Sequence, residues 1–404
     1  MSDTTSISTA ESQLLSRLSE SATLAMARIS RELKEQGLDV ISLSLGEPDF
    51  DAPDFVKEAA KKAIDDNYSH YPPVNGYAEV REAISKKFKR DNGLDYAPDQ
   101  IVLSTGAKQS IANVVLALVN PGDEVLLPAP YWVSYSEIVK VAGGIPVVVK
   151  TTIENDFKLT PEQLSAAITD RTKLMIYSSP CNPSGSVYTK EELEGLAAVL
   201  RKNEHVFVIS DEIYELINFT GGHASLATLD GMYDRTITIN GVSKGFAMTG
   251  YRLGYIGAPT WIAKATSKIQ GQFTSAPCGI SQMAAKACVE ADPSEVNYMK
   301  EAFLQRRDMM IEGLRAIDGL KVNVPTGAFY IFPDASSFFG KSHEGTTVSN
   351  ATDLCNFILE KEHVALVTGD AFGDPNCFRI SYAASESELK GALTRIRRAL
   401  ELLK

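Results

Sequence analysis

The sequence predicts an α/β protein: a large domain with a mainly parallel seven-stranded sheet covered by helices, plus a smaller α+β domain formed by the N- and C-terminal segments. Three observations carry this. The chain has 404 residues, too many for one simple core, which points to two domains or one large domain with an appended lobe. Seven short β-branched runs alternate with helical segments through its middle, the pattern of parallel strands joined by crossover helices. Beyond about Gly279 the character changes to a long helical stretch followed by short mixed elements.

In chain order, "ATLAMARISRELKEQG" reads as a helix closed by Gly37, a C-cap residue. "DVISLSLGEPDF" reads as a short strand and a turn at Gly46-Glu47-Pro48, and a polar, helix-rich stretch runs on to about Gly93. The seven strand runs are "IVLST", "EVLLP", "IPVVVK", "KLMIYSS", "VFVISD", "TITIN" and "LGYIG", with helices expected over 108–119, 134–141, 161–168 and 191–202. The later helical stretch, "SQMAAKACVEADPSEVNYMKEAFLQRRDMMIEGLRAI", breaks or bends near Pro293. "AFYIFPD", "ATDLCNFILEKEH", "CFRISYAAS" and a final helix follow, with "GKSHEGTTVSN" read as a surface loop. The expected boundaries are 1–45 for the N-terminal segment of the small domain, 46–290 for the large domain and 291–404 for the C-terminal small domain.

Composition narrows the function class. With 44% hydrophobic residues the chain reads as an ordinary soluble globular protein, and its net charge of -11 argues against nucleic acid as a partner. The five cysteines form no CxxC pair, which fits a reduced, cytoplasmic protein. The Ser/Thr-rich start, with Asp3, lacks the basic and apolar regions of a signal peptide, and no apolar run approaches the roughly 18 residues of a membrane span. The five histidines are scattered without metal-ligand spacing, and no Ser/His/Asp or Cys/His pairing emerges; metal catalysis and hydrolysis drop out, and no metal is expected.

In open α/β sheets, ligands bind at the carboxyl ends of the strands. Gly106, Ala107 and Lys108 follow "IVLST"; Trp132 follows "EVLLPAPY"; Asn182 follows "YSSPC"; Asp211 and Tyr214 follow "VFVIS"; Ser243 and Lys244 follow "TITING". Each has an ordinary reading. A lone lysine such as Lys244 is usually a solvated loop charge. Its neighbours are small and carry few carboxylates, however, so the amine can be desolvated, drop in pKa and attack a carbonyl. Arg252 is a surface charge unless it joins the helix start at Gly106-Ala107-Lys108 to clamp a phosphate. Asp211 is a helix cap or, alternatively, a carboxylate that keeps a pyridine nitrogen protonated. Tyr214 is ordinary packing or reaches the same ring; Trp132 is core or a stacking wall. Asn182 sits in a Pro/Asn/Gly turn. Arg379, inside the apolar run "CFRISYA", needs an anionic partner, from this chain or from a substrate carboxylate.

Together these residues resemble a known family. "SSPCNPSG", "SDEIY", "NGVSKGFAMTGYRLGY" and "FRISYA" occur in the order and spacing of the class I, fold-type I, pyridoxal-phosphate-dependent aminotransferases, joined by "GEPDFDAPD", "YPPVNGYAEVREAI" and "PYWVSY". The similarity runs from about Ser21 to the end and is greatest to the bacterial aspartate aminotransferase group. It implies that Lys244 carries pyridoxal 5′-phosphate as a Schiff base and shuttles the proton between Cα and C4′. Asp211 then pairs with the ring nitrogen, Tyr214 and Asn182 contact the phenolic oxygen, Trp132 stacks on the ring, and Gly106, Ala107 and Arg252 hold the phosphate, with Lys108 and Ser243 beside them. Tyr71 resembles the tyrosine that reaches the phosphate from a partner subunit, implying a homodimer with shared sites. Arg379 resembles the arginine for the substrate α-carboxylate; Gly46, Trp132 and Asn182 line the same pocket, and Lys108 is associated with the side-chain carboxylate of dicarboxylic substrates. The implied substrates are amino acids and 2-keto acids, with aspartate and 2-oxoglutarate foremost. The alternatives are an aromatic, kynurenine or alanine aminotransferase, or a carbon–sulfur lyase of the same fold. The Asn182–Pro183 bond is expected to be cis, which proline makes inexpensive. Three positions depart from the pattern: Tyr251 replaces a tryptophan, Cys181 replaces an asparagine, and Ser19 stands where some relatives that also accept prephenate have a basic residue.

Overall fold

The computed structural model describes residues 11–404; the reading of the extreme N-terminus around Asp3 lies outside them. The first elements are α1 (Ala22–Glu35), β1 (Ile41–Ser42), α2 (Asp54–Asp65) and α3 (Ala78–Lys87). The alternating region follows: β2 (Ile101–Ser104), α4 (Ala107–Leu118), β3 (Glu124–Ala129), α5 (Ser134–Val141), β4 (Ile145–Lys150), α6 (Pro161–Ala167), β5 (Thr172–Ser178), α7 (Lys190–Leu200), β6 (Phe207–Asp211), β7 (Thr236–Gly241) and β8 (Gly254–Gly257). Each of the seven predicted runs is a strand. Side-chain chemistry sets the helix starts: Thr160 and Thr189 cap α6 and α7 in reciprocal boxes with Gln163 and Glu192.

The seven strands form one sheet in the order β2-β8-β7-β6-β5-β3-β4. All neighbours are parallel except at β8, which runs antiparallel to both β2 and β7. The central strands are buried on both faces, whereas β4, at the edge, is half exposed and accommodates Pro146. Register aligns Ser178 with Asp211, and Gly241 with Gly254. The reversal of β8 has a consequence for function: Arg252, which precedes that strand, arrives at the same sheet edge as the residues that follow the other strands.

The remaining elements are α8 (Thr260–Phe273), α9 (Gly279–Glu290), α10 (Asn297–Arg315), β9 (Tyr330–Ile331), β10 (Ser342–His343), β11 (Thr346–Thr347), α11 (Ala351–Glu362), β12 (Val364–Ala365), β13 (Val367–Thr368), β14 (Phe378–Ser381) and α12 (Glu386–Leu402). Pro293 opens a short 3-10 turn between α9 and α10, as the break in the helical pattern predicts. Strands β13, β14 and β9 form an antiparallel sheet, and β1 pairs in parallel with β12, which ties the N-terminal segment to the C-terminal one. "GKSHEGTTVSN" is more than a loop: β10 and β11 pair as a hairpin across Glu344 (φ 48°) and Gly345 (φ 84°). Two consecutive positive φ angles are what a tight hairpin turn demands, and Glu-Gly meets that demand through the glycine.

Candidate active site

The carboxyl edge of the large sheet opens into a cavity of about 290 Å³. The turn after β7 supplies Lys244, whose Nζ donates to the Gly46 carbonyl at 2.5 Å. Burial of the ammonium depresses its pKa to about 8; Arg252 and Arg379 act in the same sense, and Glu47 and Asp211 oppose them. Asp211 closes β6. Burial raises its carboxyl to about 6, against hydrogen bonds from the Tyr135 hydroxyl (2.6 Å) and the Ile213 N–H (3.2 Å).

The opposite wall comes from elements far apart in sequence. Strand β14 carries Arg379, which is 1% exposed; its Nη1 donates to Asn182 Oδ1 at 3.0 Å and its Nη2 to the Ser44 carbonyl. The guanidinium stacks over the Tyr330 ring at 4.6 Å, and its Nε is buried without a partner. The Tyr330 and Tyr214 hydroxyls are 2.7 Å apart, and burial lifts both phenols above the ordinary tyrosine range. Gly46 packs beneath: a Cβ there would lie 2.3 Å from the Tyr330 oxygen.

A third wall is built for an anion. Gly106 is the N-cap of α4 with φ 82°, and a Cβ on it would lie 2.6 Å from Arg252 Nη2. Arg252 is itself left-handed (φ 54°), and its Nη1 donates to the Thr249 carbonyl at 2.8 Å. A helix start with free N–H groups and a guanidinium alongside is an anion site. Lys108, one residue into α4, lies over the Trp132 ring at 4.9 Å, and burial together with Arg252 lowers its pKa.

Residues 38–396 match the family model for aminotransferases of class I and II. The chain belongs to this aminotransferase family. It is similar to the aspartate aminotransferase of Pinus pinaster, with 48% identity over 393 residues, 96% of this chain and 80% of that one. Among solved structures, the aspartate aminotransferase from Rhizobium meliloti matches with a TM-score of 0.94 at 42% identity, over 98% of this chain and 99% of that one. The Thermus thermophilus aspartate aminotransferase with maleate matches with a TM-score of 0.91 at 40% identity, over 96% and 99% of the two chains.

Of the residues expected at the site, this aminotransferase brings Gly46, Ala107, Lys108, Trp132, Asn182, Asp211, Tyr214, Ser243, Lys244, Arg252 and Arg379 to one cavity. Gly106 stands directly behind Arg252. Tyr71 is not among them: it is 97% exposed. The Asn182–Pro183 bond is cis, as are Ala129–Pro130 and Ser179–Pro180. Near the cavity mouth, the Ser19 N–H donates to Glu137 Oε2 at 2.8 Å, and Ser21 lies on the lining. Sequence reasoning missed Tyr135 and Tyr330. Tyr135 is the second residue of α5, three after Trp132, and the two rings meet edge to face at 5.5 Å. Tyr330 sits among Phe329, Ile331 and Phe332, all fully buried, and nothing local separates it from them.

Proposed function

We propose that this aminotransferase moves the amino group of L-aspartate to 2-oxoglutarate, giving oxaloacetate and L-glutamate, with pyridoxal 5′-phosphate carried on Lys244. The observation that carries this reading is a pair of cations in one cavity with Lys244. Among the described residues, Arg379 donates to Asn182 and to the Ser44 carbonyl and Lys108 lies over Trp132, and neither is paired with a carboxylate. A substrate with two carboxylates supplies both.

The residues fit the cofactor. Asp211 is a buried carboxylate held by one phenol and one amide, and a protonated ring nitrogen offsets its burial. The space that a Cβ at Gly106 would fill is the space that lets Arg252 and the α4 start approach a phosphate. Bound there, pyridoxal phosphate acts as an electron sink for the charge left when the Cα–H bond breaks. The chain does the rest. Arg379 clamps the α-carboxylate with the planar fork that lysine lacks, and Lys108 takes the side-chain carboxylate. Lys244, with its pKa near 8, holds a usable fraction of neutral amine at neutral pH; it accepts the Cα proton and returns it one position away. Asn182 and Tyr214 would hold the ring oxygen, and Trp132 would wall the ring's face.

A second reading, an aromatic or kynurenine donor, draws on Leu24 and Leu45, which are exposed apolar residues on the cavity lining. We further read the chain as a cytoplasmic homodimer of two-domain subunits divided at residues 45 and 290. Exposed Tyr71, available to a partner's site, five unpaired cysteines and the β1–β12 pairing support this. Among the described residues no helix is long and apolar enough to cross a membrane.

The test is a half-reaction screen. Holoenzyme is mixed with aspartate, glutamate, alanine, phenylalanine and kynurenine in turn, and the change in cofactor absorbance is timed. Aspartate and glutamate are expected to react fastest. Fast alanine or phenylalanine with negligible aspartate overturns the reading, and release of pyruvate and ammonia without a keto acid moves the assignment to a lyase. Lys244→Ala is expected to lose the covalent cofactor absorbance and nearly all turnover.

A further inference from the structure

Behind the active-site strand lies a buried ion-pair network that the reaction as described does not use. Glu212 follows Asp211 directly, and strand alternation sends the two carboxylates to opposite faces of the sheet. Glu212 is fully buried. It accepts from Ser225 Oγ at 2.5 Å and Ser210 Oγ at 2.9 Å, and pairs with His223 Nε2 at 2.8 Å. One turn on, Glu215 pairs with the buried Lys87 ammonium of α3 and accepts from Asn92 Nδ2 at 2.7 Å; Lys87 also donates to Asn92 Oδ1 at 2.7 Å. The donor atoms of Glu212, Glu215 and His223 lie within 4.8 Å of one another, close enough for a metal. Lys87 already occupies the cation's place against Glu215, so the cluster reads as an ion-pair network.

Its charge balance depends on one titratable group. Lys87 offsets Glu215, and Arg90 offsets Asp91 at the edge of the cluster through a bond of 2.5 Å. The surrounding phenols, Tyr96, Tyr177 and Tyr255, are raised by burial and stay neutral. That leaves Glu212 and His223. Burial alone pushes the imidazole's pKa down, but the Glu212 and Glu215 carboxylates outweigh it and hold it above the ordinary histidine range. With His223 cationic the network is neutral. With His223 neutral, one uncompensated negative charge lies directly behind Asp211.

We propose that His223, as an imidazolium paired with Glu212, is a positioning residue for transamination: it cancels the charge behind Asp211 and so keeps the Asp211 proton on the cofactor's ring nitrogen. The inference rests on the proposed cofactor reading. An uncompensated Glu212 makes the Asp211 carboxylate more basic, since a like charge favours the protonated form. The proton shared with the ring nitrogen then moves to the carboxylate, and the ring loses its capacity as an electron sink.

The experiment uses holoenzyme loaded with cofactor labelled with 15N in the ring, and compares wild type, His223→Gln, Glu212→Gln and the double variant. In His223→Gln the ring-nitrogen resonance is expected to move towards the neutral-pyridine position. The kcat for aspartate is expected to fall roughly tenfold, the effect of about one pKa unit at Asp211, with KM nearly unchanged. The double variant, again without net charge, is expected to regain the wild-type resonance. An unchanged resonance in His223→Gln, or a double variant no closer to wild type than the single one, overturns the inference. If His223→Gln does not fold, the wild-type resonance is followed as pH rises: it is expected to drift as His223 loses its proton, and a flat profile overturns the inference. Failure of the cofactor reading looks different, because wild type itself would then show no covalent cofactor absorbance.

Discussion

Lys244→Met in the cofactor-free protein isolates the energetic cost of the active-site amine. A pKa held near 8 rather than 10.5 means that folding disfavours the charged amine, and the difference corresponds to about 3.4 kcal/mol. Methionine removes that cost but forfeits the hydrogen bond to the Gly46 carbonyl, worth about 1 kcal/mol. Because the amine is only partly buried, solvent trims the remainder to about 2 kcal/mol. With an unfolding entropy of about 2 cal/mol/K per residue over a chain of this size, the variant is expected to melt about 2–3 °C above wild type at pH 7. The sign of the pH dependence follows from the lowered pKa. Between about pH 8 and 10.5 the unfolded chain holds a proton that the folded chain has released, so wild-type stability rises with pH there. The advantage of the variant is therefore full below pH 8 and gone by about pH 10.5. Thermal unfolding of the stripped proteins, followed by circular dichroism across that range, measures it. A variant less stable than wild type at pH 7, or an advantage undiminished at high pH, refutes the claim that the amine is held against its hydration.

Three further outcomes test the geometry. Lys108→Met is expected to lower kcat/KM for aspartate by about 10- to 100-fold, the worth of one charge-assisted hydrogen bond, while changing alanine by less than about threefold; steady-state kinetics with both donors decides it. Gly106→Ala places a Cβ against Arg252 in a left-handed backbone, so cofactor affinity is expected to fall at least about tenfold, since strain of about 1–2 kcal/mol adds to the lost phosphate contact; titration of stripped enzyme with cofactor measures the loss. If Tyr71 completes a partner's site, mixing Tyr71→Phe with Lys244→Ala subunits regenerates one intact site per mixed dimer, and activity is expected to recover to about a quarter of wild type after subunit exchange; no recovery despite exchange removes Tyr71 from the site.

The sequence discloses residues that break a local pattern. Arg379 stands out because a guanidinium sits in an apolar run, and Lys244 because an amine sits among small residues after a β-branched run; both lie in the cavity. The seven strands were legible as short apolar runs, several of them β-branched, bounded by turn residues. Other features conform to their surroundings and stay hidden. Tyr330 passes for core beside Phe329 and Phe332 until β9 pairs with β14 and brings its ring under Arg379. The hairpin at Glu344-Gly345 looks like polar loop because its strands are two residues each. Glu212 is the extreme case. Next to Asp211 it reads as one more acid in "SDEIYE", yet its partners are Ser225, His223 and, at the edge of hydrogen-bonding distance, Asn92, brought together from separate elements. A carboxylate fully removed from water and held by so many groups costs several kcal/mol unless its charge is matched. Surface acidity in this chain is abundant and cheap, and an acid buried directly behind Asp211 is the one on which the proposed charge balance of the site turns.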